Sequence, residues 1–295
     1  MILGAHVRRR QTGIAGAIEE AVERSADCLQ IFISNPRSWS GPRYDEVESE
    51  RFREALAASG LRPCVAHLSY IGNVASWDPI TLGRTRELVV ETVHACDALG
   101  VDLLIVHTGA GGPQDRDTAL RAAGESYRLA VQAADGVRVL AELMAGTTGA
   151  VASLPHEAEE LFAEVADDRL GLCLDTAHLF AAGVPLDDPA GVAALSEELR
   201  GRGLAPRLAL VHANDSVFGC GARRDRHANI GAGVIGTDGW RALVNDPLVG
   251  SVPWMLETPG DAARQRADIA FLRTLASPGK REERRGDEWR SAGAS

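Results

Sequence analysis

The chain has 295 residues, 45% of them hydrophobic and 24% charged, which argues against disorder and suits one large domain, or two small ones, with a substantial core. A formal charge of −10 argues against broad phosphate binding through Lys and Arg, although bound divalent ions, which that count omits, would alter the local field. The five cysteines are odd in number and lack CxxC spacing, no apolar run reaches a membrane-spanning length, and the opening MILGAHVRRR reverses the order of a signal peptide. Neither a disulfide framework, a cysteine zinc knuckle nor a membrane span is expected, and a cytoplasmic protein is.

Eight short apolar runs read as parallel strands buried on both faces. In chain order they are residues 2–6, 28–34, 62–67, 102–107, 137–142, 170–175, 207–212 and 252–257, closing on His6, Ser34, His67, His107, Glu142, Asp175, His212 and Glu257. Successive ends lie 28 to 45 residues apart, enough for a loop, a helix and a return loop. Leu88, Val89, Val93, Cys96 and Leu99 keep helical spacing, as do Leu120, Ala123, Tyr127, Ala130 and Ala134; Gly100 and Gly136 then fall where helix caps belong. Eight such units predict a single (β/α)8 TIM barrel over residues 1–275, with a doubly wound sheet as the alternative. The barrel is favoured because seven of the eight runs end in His, Asp or Glu, and a closed barrel brings strand ends to one mouth. Residues 276–295 mix both charge signs with little apolar content and read as a disordered tail; Lys280, Arg281, Arg284 and Arg285 could form a basic arm, but Glu282, Glu283, Asp287 and Glu288 offset them.

The chemistry concentrates at those strand ends. Four histidines close predicted strands (His6, His67, His107, His212), His178 lies in the motif DTAH and His227 in DRH, while His94 and His156 look incidental. Asp175 and His178, three apart, share a face if a helix starts after the strand, and Asp225 and His227 share a side in extended chain. A lone strand-end histidine is usually structural; a conjunction is different. His67, His107, His178, His212 and His227 with Glu142, Asp175, Asp225 and Glu257 make nine candidate ligands, too many for one tetrahedral ion. Mixed nitrogen and oxygen donors suit zinc or manganese rather than magnesium or calcium. An ion-pair scaffold would need a matching set of Lys or Arg at the strand ends, and none is there.

GLCLDTAH (171–178), VHAND (211–215) with DRH (225–227), HLSYIGNVA (67–75), the opening GAHV and NPRSW (35–39) together resemble the endonuclease IV family of zinc-dependent apurinic/apyrimidinic endonucleases, over roughly residues 1–275. The resemblance implies three Zn2+, with Mn2+ admissible at one site. His67 and His107 would hold the first ion, Glu142 would bridge it to a second held by Asp175, His212 and Glu257, and His178, Asp225 and His227 would hold the third. The implied reaction is hydrolysis of the phosphodiester 5′ to an abasic site in double-stranded DNA, leaving a 3′-hydroxyl. Glu257, which would orient or deprotonate the attacking water, and the bridging Glu142 are the implied catalytic residues. Arg37, Tyr70 and Ile71 match positions that enter the duplex at the lesion. Arg8, Arg9, Arg10, Arg43, Arg223, Arg224 and Arg226 follow predicted strands and are candidate phosphate contacts. A monomer is expected, since no apolar stripe calls for a second subunit.

Departures from the family pattern are Val217 in place of a lysine, Gly72 in place of a larger apolar residue, Leu143 and Met144 in place of Asn and Thr, Arg8 in place of a small residue, and Ala232 in place of an acid. None is a candidate ligand, so they bear on lesion range and DNA affinity. The alternative is a sugar isomerase or epimerase of the xylose isomerase-like barrels, which would use one or two ions and have no need of His178, Asp225 and His227. A third possibility is a protein that binds damaged DNA without cutting it.

Overall fold

The computed structural model describes residues 1–8 and 13–277. In chain order the strands are β1 (Leu3–His6), β2 (Cys28–Ile31), β3 (Cys64–His67), β4 (Leu103–His107), β5 (Arg138–Glu142), β6 (Gly171–Asp175), β7 (Leu208–His212), β8 (Asp215–Ser216), β9 (His227–Ala228) and β10 (Trp254–Leu256). The helices are α1 (Gly16–Glu23), α2 (Glu46–Ser59), α3 (Pro79–Leu99), α4 (Arg116–Ala133), α5 (Pro155–Val165), α6 (Thr176–Ala182), α7 (Pro189–Gly201), α8 (Gly236–Asn245) and α9 (Ala262–Leu275). β1 to β7 and β10 close a parallel barrel in sequence order, β10 returning to β1, while β8 and β9 form a separate antiparallel pair. The expected (β/α)8 barrel is therefore present, and the doubly wound sheet is not.

Two packed layers hold it. Cys28, Val65, Leu103, Ile105, Leu140, Cys173, Leu210 and Met255 fill the barrel interior, and a larger cluster joins the outer strand faces to the helices. Side chains alternate along a strand, so each interior residue fixes which later residue points to the axis. Val65 is followed two residues on by His67, Ile105 by His107, Leu140 by Glu142, Cys173 by Asp175, Leu210 by His212 and Met255 by Glu257. The apolar fill of the barrel thus aims the polar set at its mouth.

Two sequence expectations need correction. The second strand stops at Ile31, not Ser34, because its neighbours run out: β1 pairs no further than His6 with Gln30, and β3 no further than Ala66 with Ile31. Gly100 is the left-handed cap of α3 (φ 67°), but Gly136 caps nothing. Helix α4 ends at Ala133 with Ala134 extended, and the Gly136 N–H donates instead to Asp97 Oδ1 at 2.8 Å, beside the N–H groups of Asp135 and Val137. Ala276 is still buried after α9, and the Ser277 N–H donates to Asn245 Oδ1. The rest of the charged tail, including Lys280, Arg281, Arg284 and Arg285, and the phosphate-contact candidates Arg9 and Arg10, lie outside the described residues.

Gly4 marks a tight strand contact against backbone. It lies opposite Cys28, and a Cβ there would sit 2.4 Å from the Cys28 carbonyl oxygen and 2.5 Å from its Sγ. Backbone cannot yield as a side-chain tip can. Gly4→Ala should lower unfolding stability by about 1–3 kcal/mol in a denaturant titration, the usual cost of overpacking; an unchanged midpoint would mean that β1 and β2 are looser than described.

Candidate metal centre

Glu142, fully buried at the end of β5, is the hub of the mouth. Its Oε2 lies 3.2 Å from both His67 Nε2 and His107 Nε2, and its Oε1 lies 2.8 Å from His212 Nδ1. Glu257 Oε2 lies 3.6 Å from His212 Nδ1, and Asp175 Oδ2 lies 3.7 Å from His227 Nε2. Asp225, whose side chain is half exposed, bridges His178 Nε2 at 3.3 Å and His227 Nε2 at 3.1 Å. All nine sequence-derived candidates therefore meet in one mouth.

Within it, three groups have ligand atoms mutually within 4.8 Å and could each hold a cation: His67, His107 and Glu142; Glu142, Asp175, His212 and Glu257; and Asp175, His178 and His227. Glu142 and Asp175 each belong to two groups, so each can link two cations. The last group differs from the implied partition, since Asp175 joins His178 and His227 directly, while Asp225 stands against both rings from the solvent side. The spacing of DTAH has a second purpose: Asp175 caps α6, its Oδ1 accepting the His178 N–H at 2.9 Å, which leaves Oδ2 for the cluster.

Ring protonation tests whether metal fits. Carbonyl oxygens only accept, so His67 donates from Nδ1 to Leu68 O at 2.7 Å and His178 donates from Nδ1 to Leu143 O at 2.8 Å. His212 donates from Nε2 to Gln30 Oε1 at 2.7 Å, because the Gln30 amide nitrogen is turned to Glu257 Oε1 at 2.6 Å and to His6 Nδ1 at 2.9 Å. Each neutral ring then presents a lone pair to a carboxylate. That arrangement is repulsive unless a proton or a metal cation lies between them. His227 Nε2, buried and facing Asp225 Oδ1 at 3.1 Å with no well-aligned hydrogen bond between them, makes the same demand.

Charge points the same way. Burial pulls the His178 ring down, but Asp175, Asp225 and Glu142 outweigh it and push the ring up to about 10; His227, with the same opposing causes from Asp175, Asp225 and Glu257, is pushed up to about 9. Burial raises the Glu142 carboxyl, yet the His212 and His107 rings hold it well below the usual carboxylate range. The pocket requires positive charge, and nitrogen and carboxylate donors are the zinc set.

Three contributors escape a sequence reading of the ligands. His6 closes a predicted strand without a role of its own there; it faces Glu257 Oε1 at 3.5 Å. Gln30 is fully buried two residues beyond the interior Cys28, so strand alternation could have found it. Asn214 donates to Asp175 Oδ2 at 2.7 Å and accepts the Glu257 N–H at 3.0 Å, and within VHAND nothing marks it for that.

The proposed DNA contacts spread around the mouth. Arg8, Arg37 and Tyr70 line a cavity of about 730 Å³ that includes His6 and Glu257. Arg37 also lines a neighbouring cavity of about 550 Å³ with Ile71, Arg43 and Trp39, where the Arg84 guanidinium stacks 4.5 Å from the Trp39 ring centre. Tyr70 is 56% exposed although it packs against Phe32, His67 and His107. Arg223, Arg224 and Arg226 are exposed on the loop that carries Asp225 and line neither cavity; Arg224 stacks on Phe218. Among the departures, Val217 is half exposed, whereas Leu143 is buried and serves the site through its carbonyl oxygen.

Residues 18–275 match the family described as xylose isomerase-like TIM barrel. The chain is 37% identical over 260 residues to "Probable endonuclease 4" of Streptomyces coelicolor, covering 86% of this chain and 88% of that one. It is 36% identical over 284 residues to the protein of the same name from Nitratidesulfovibrio vulgaris, covering 93% and 99%. The crystal structure of endonuclease IV from Thermus thermophilus matches with a TM-score of 0.81 at 31% identity, over 93% of this chain and 98% of that one. The chain belongs to the endonuclease IV family. A D-tagatose 3-epimerase-like protein also matches, with a TM-score of 0.72 at 18% identity, which shows a shared barrel and no more. Among the described residues of this endonuclease IV family enzyme, no helix is long and apolar enough to cross a membrane.

Gln30 offers a direct check on the site. Gln30→Leu keeps the bulk but frees the His212 ring and removes a donor from Glu257. Zinc affinity, measured by competition with a chromophoric chelator, should fall about 10–100-fold, as for other residues that orient metal ligands; unchanged affinity would show that His212 needs no such support.

Proposed function

We propose that this endonuclease IV family member is a DNA-repair phosphodiesterase that hydrolyses the bond 5′ to an abasic site in duplex DNA, leaves a 3′-hydroxyl, and holds three Zn2+ with the nine residues named above, Mn2+ being admissible at one site. The observation that carries this is the third ligand group. Asp175, His178 and His227 with Asp225 form a site beside the other two, which a barrel working on a small sugar with one or two ions would not need. Bound zinc would supply Lewis-acid stabilisation of charge on the phosphodiester and a lowered pKa for water.

The protein's own residues do the rest. Glu257 lines the open cavity while one oxygen is held by Gln30, so it is placed to orient or accept a proton from an attacking water at the scissile phosphate. Glu142 is closed off from solvent and links two groups, so its role is to hold them at a fixed separation. Arg8 and Arg37 on the cavity wall suit phosphates, and the exposed Tyr70 with its neighbour Ile71 suits the gap left by a missing base. Arg226, exposed beside Asp225, is a further phosphate contact in this reading. The protein would act in the cytoplasm as a monomer.

The test is a duplex carrying one tetrahydrofuran abasic analogue. Zinc-loaded protein should nick it on the 5′ side, chelator should abolish nicking, and Glu257→Gln should lower kcat by about 10² or more, the scale of general acid–base catalysis. Tight binding without nicking would favour a damage-binding protein, and chelator-sensitive epimerisation of a ketose would favour the sugar enzyme.

A further inference from the structure

His67, His178 and His212 each have the second ring nitrogen held by a carbonyl or amide oxygen, a bond that fixes both ring and tautomer. His227 has no equivalent among the described residues: its Nε2 faces Asp225 Oδ1 at 3.1 Å and Asp175 Oδ2 at 3.7 Å, and no hydrogen bond to a described residue holds the other nitrogen, Nδ1, so the ring is placed by the backbone that carries it. That backbone is an excursion between Ser216 and Ile235 in which residues 219–226 are all exposed. Such a segment has little burial of its own to hold it.

Asp215 supplies what the segment lacks. It opens the β8–β9 pair, in which Asp215 lies opposite Ala228 and Ser216 opposite His227. The side chain is fully buried, and its two oxygens accept four N–H bonds. Oδ1 takes Ser216 N at 2.8 Å and Ile235 N at 3.1 Å, and Oδ2 takes Gly231 N at 2.9 Å and Trp240 Nε1 at 2.8 Å. These donors reach the loop's return limb and the helix behind it. The limb runs directly over the carboxylate, for a Cβ at Gly233 would lie 2.3 Å from Oδ1. The outgoing limb is tied elsewhere: the Gly221 and Arg223 N–H groups donate to Phe180 O and Ala181 O, both at 2.9 Å, on the helix that carries His178. Asp225 and His227 lie between the two anchors.

We propose that Asp215 is the positioning residue of the third ligand group: by tying the return limb, it holds Asp225 and His227 against His178 and Asp175 and so sets that group's affinity for a cation. It touches neither cation nor substrate. The inference rests on the reading of Asp175, His178 and His227 as a metal site. Asparagine at 215 has nearly the same shape but one accepting oxygen, and its amide N–H2 must face two of the four donors whichever way it turns. The limb is then released without a cavity.

The experiment compares wild type with Asp215→Asn, Trp240→Phe and His227→Ala, each loaded with zinc and equilibrated against graded zinc buffers, with bound zinc counted by atomic emission. Hydrogen exchange of residues 217–234 is followed in parallel. Wild type should hold more zinc than His227→Ala. Asp215→Asn should bind that same zinc about tenfold or more weakly, keep the remainder, and exchange faster in 217–234 alone; Trp240→Phe, which removes one donor of the four, should move the same way by less. If His227→Ala holds as much zinc as wild type, the metal reading of this group falls and takes the inference with it. If His227→Ala loses zinc while Asp215→Asn and Trp240→Phe keep it, the positioning role alone is overturned. Should Asp215→Asn fail to fold, Trp240→Phe decides, and zinc lost evenly from all groups with a lowered Tm would mark Asp215 as a general structural residue and overturn the proposal.

Discussion

Four carboxylates and five imidazoles confined at one barrel mouth must be compensated by positive charge, and the rest of the structure follows from that requirement. Glu142 and Asp175 are fully buried, where an uncompensated anion is costly. The neighbouring rings cannot relieve them while neutral, because their protons are committed elsewhere: His67 to Leu68 O, His178 to Leu143 O, His212 to Gln30. Either the rings take additional protons or cations enter. A mouth arranged in this way is prepared for metal by the groups behind the ligands as much as by the ligands themselves.

The barrel makes the arrangement possible at little conformational cost. Interior residues such as Val65, Ile105, Leu140 and Leu210 pack the axis, and alternation then sends His67, His107, Glu142 and His212 to the same point from four strands. Ligands on strands are positioned by the sheet. Those beyond the strands need separate devices: Asp175 is held as a helix cap, Glu257 by the Asn214 side chain, and His227 by a short hairpin whose first residue is a buried carboxylate.

Much of this was legible in the sequence for physical reasons. Parallel strands buried on both faces read as unbroken apolar runs, and a polar residue ending such a run stands out, which is why eight strands and six of the nine ligand candidates could be named, while His178, Asp225 and His227 were read from the DTAH and DRH spacings. The run at residues 28–34 obscured Gln30, since a polar residue inside an apolar stretch looked like part of a longer strand; only the neighbours' pairing shows that the strand ends at Ile31. Asn214 and Asp215 were visible only as letters of a motif, because hydrogen bonds to distant backbone leave no periodic trace. Gly136 resembled a cap by position, but Asp97 had already claimed its N–H from across a loop. Loop arginines carry no pattern at all, so the sequence could nominate Arg8, Arg37 and Arg226 alike, whereas the structure sets the first two on the cavity wall and the third on an exposed loop.

The central claim is that positive metal charge occupies the three ligand groups that the fold assembles. The most direct measurement is anomalous diffraction at the zinc edge from crystals of zinc-loaded protein. Peaks should lie among His67, His107 and Glu142, among Glu142, Asp175, His212 and Glu257, and among Asp175, His178 and His227. A map without peaks there, with the histidine rings turned away to bond one another or solvent, would contradict the account.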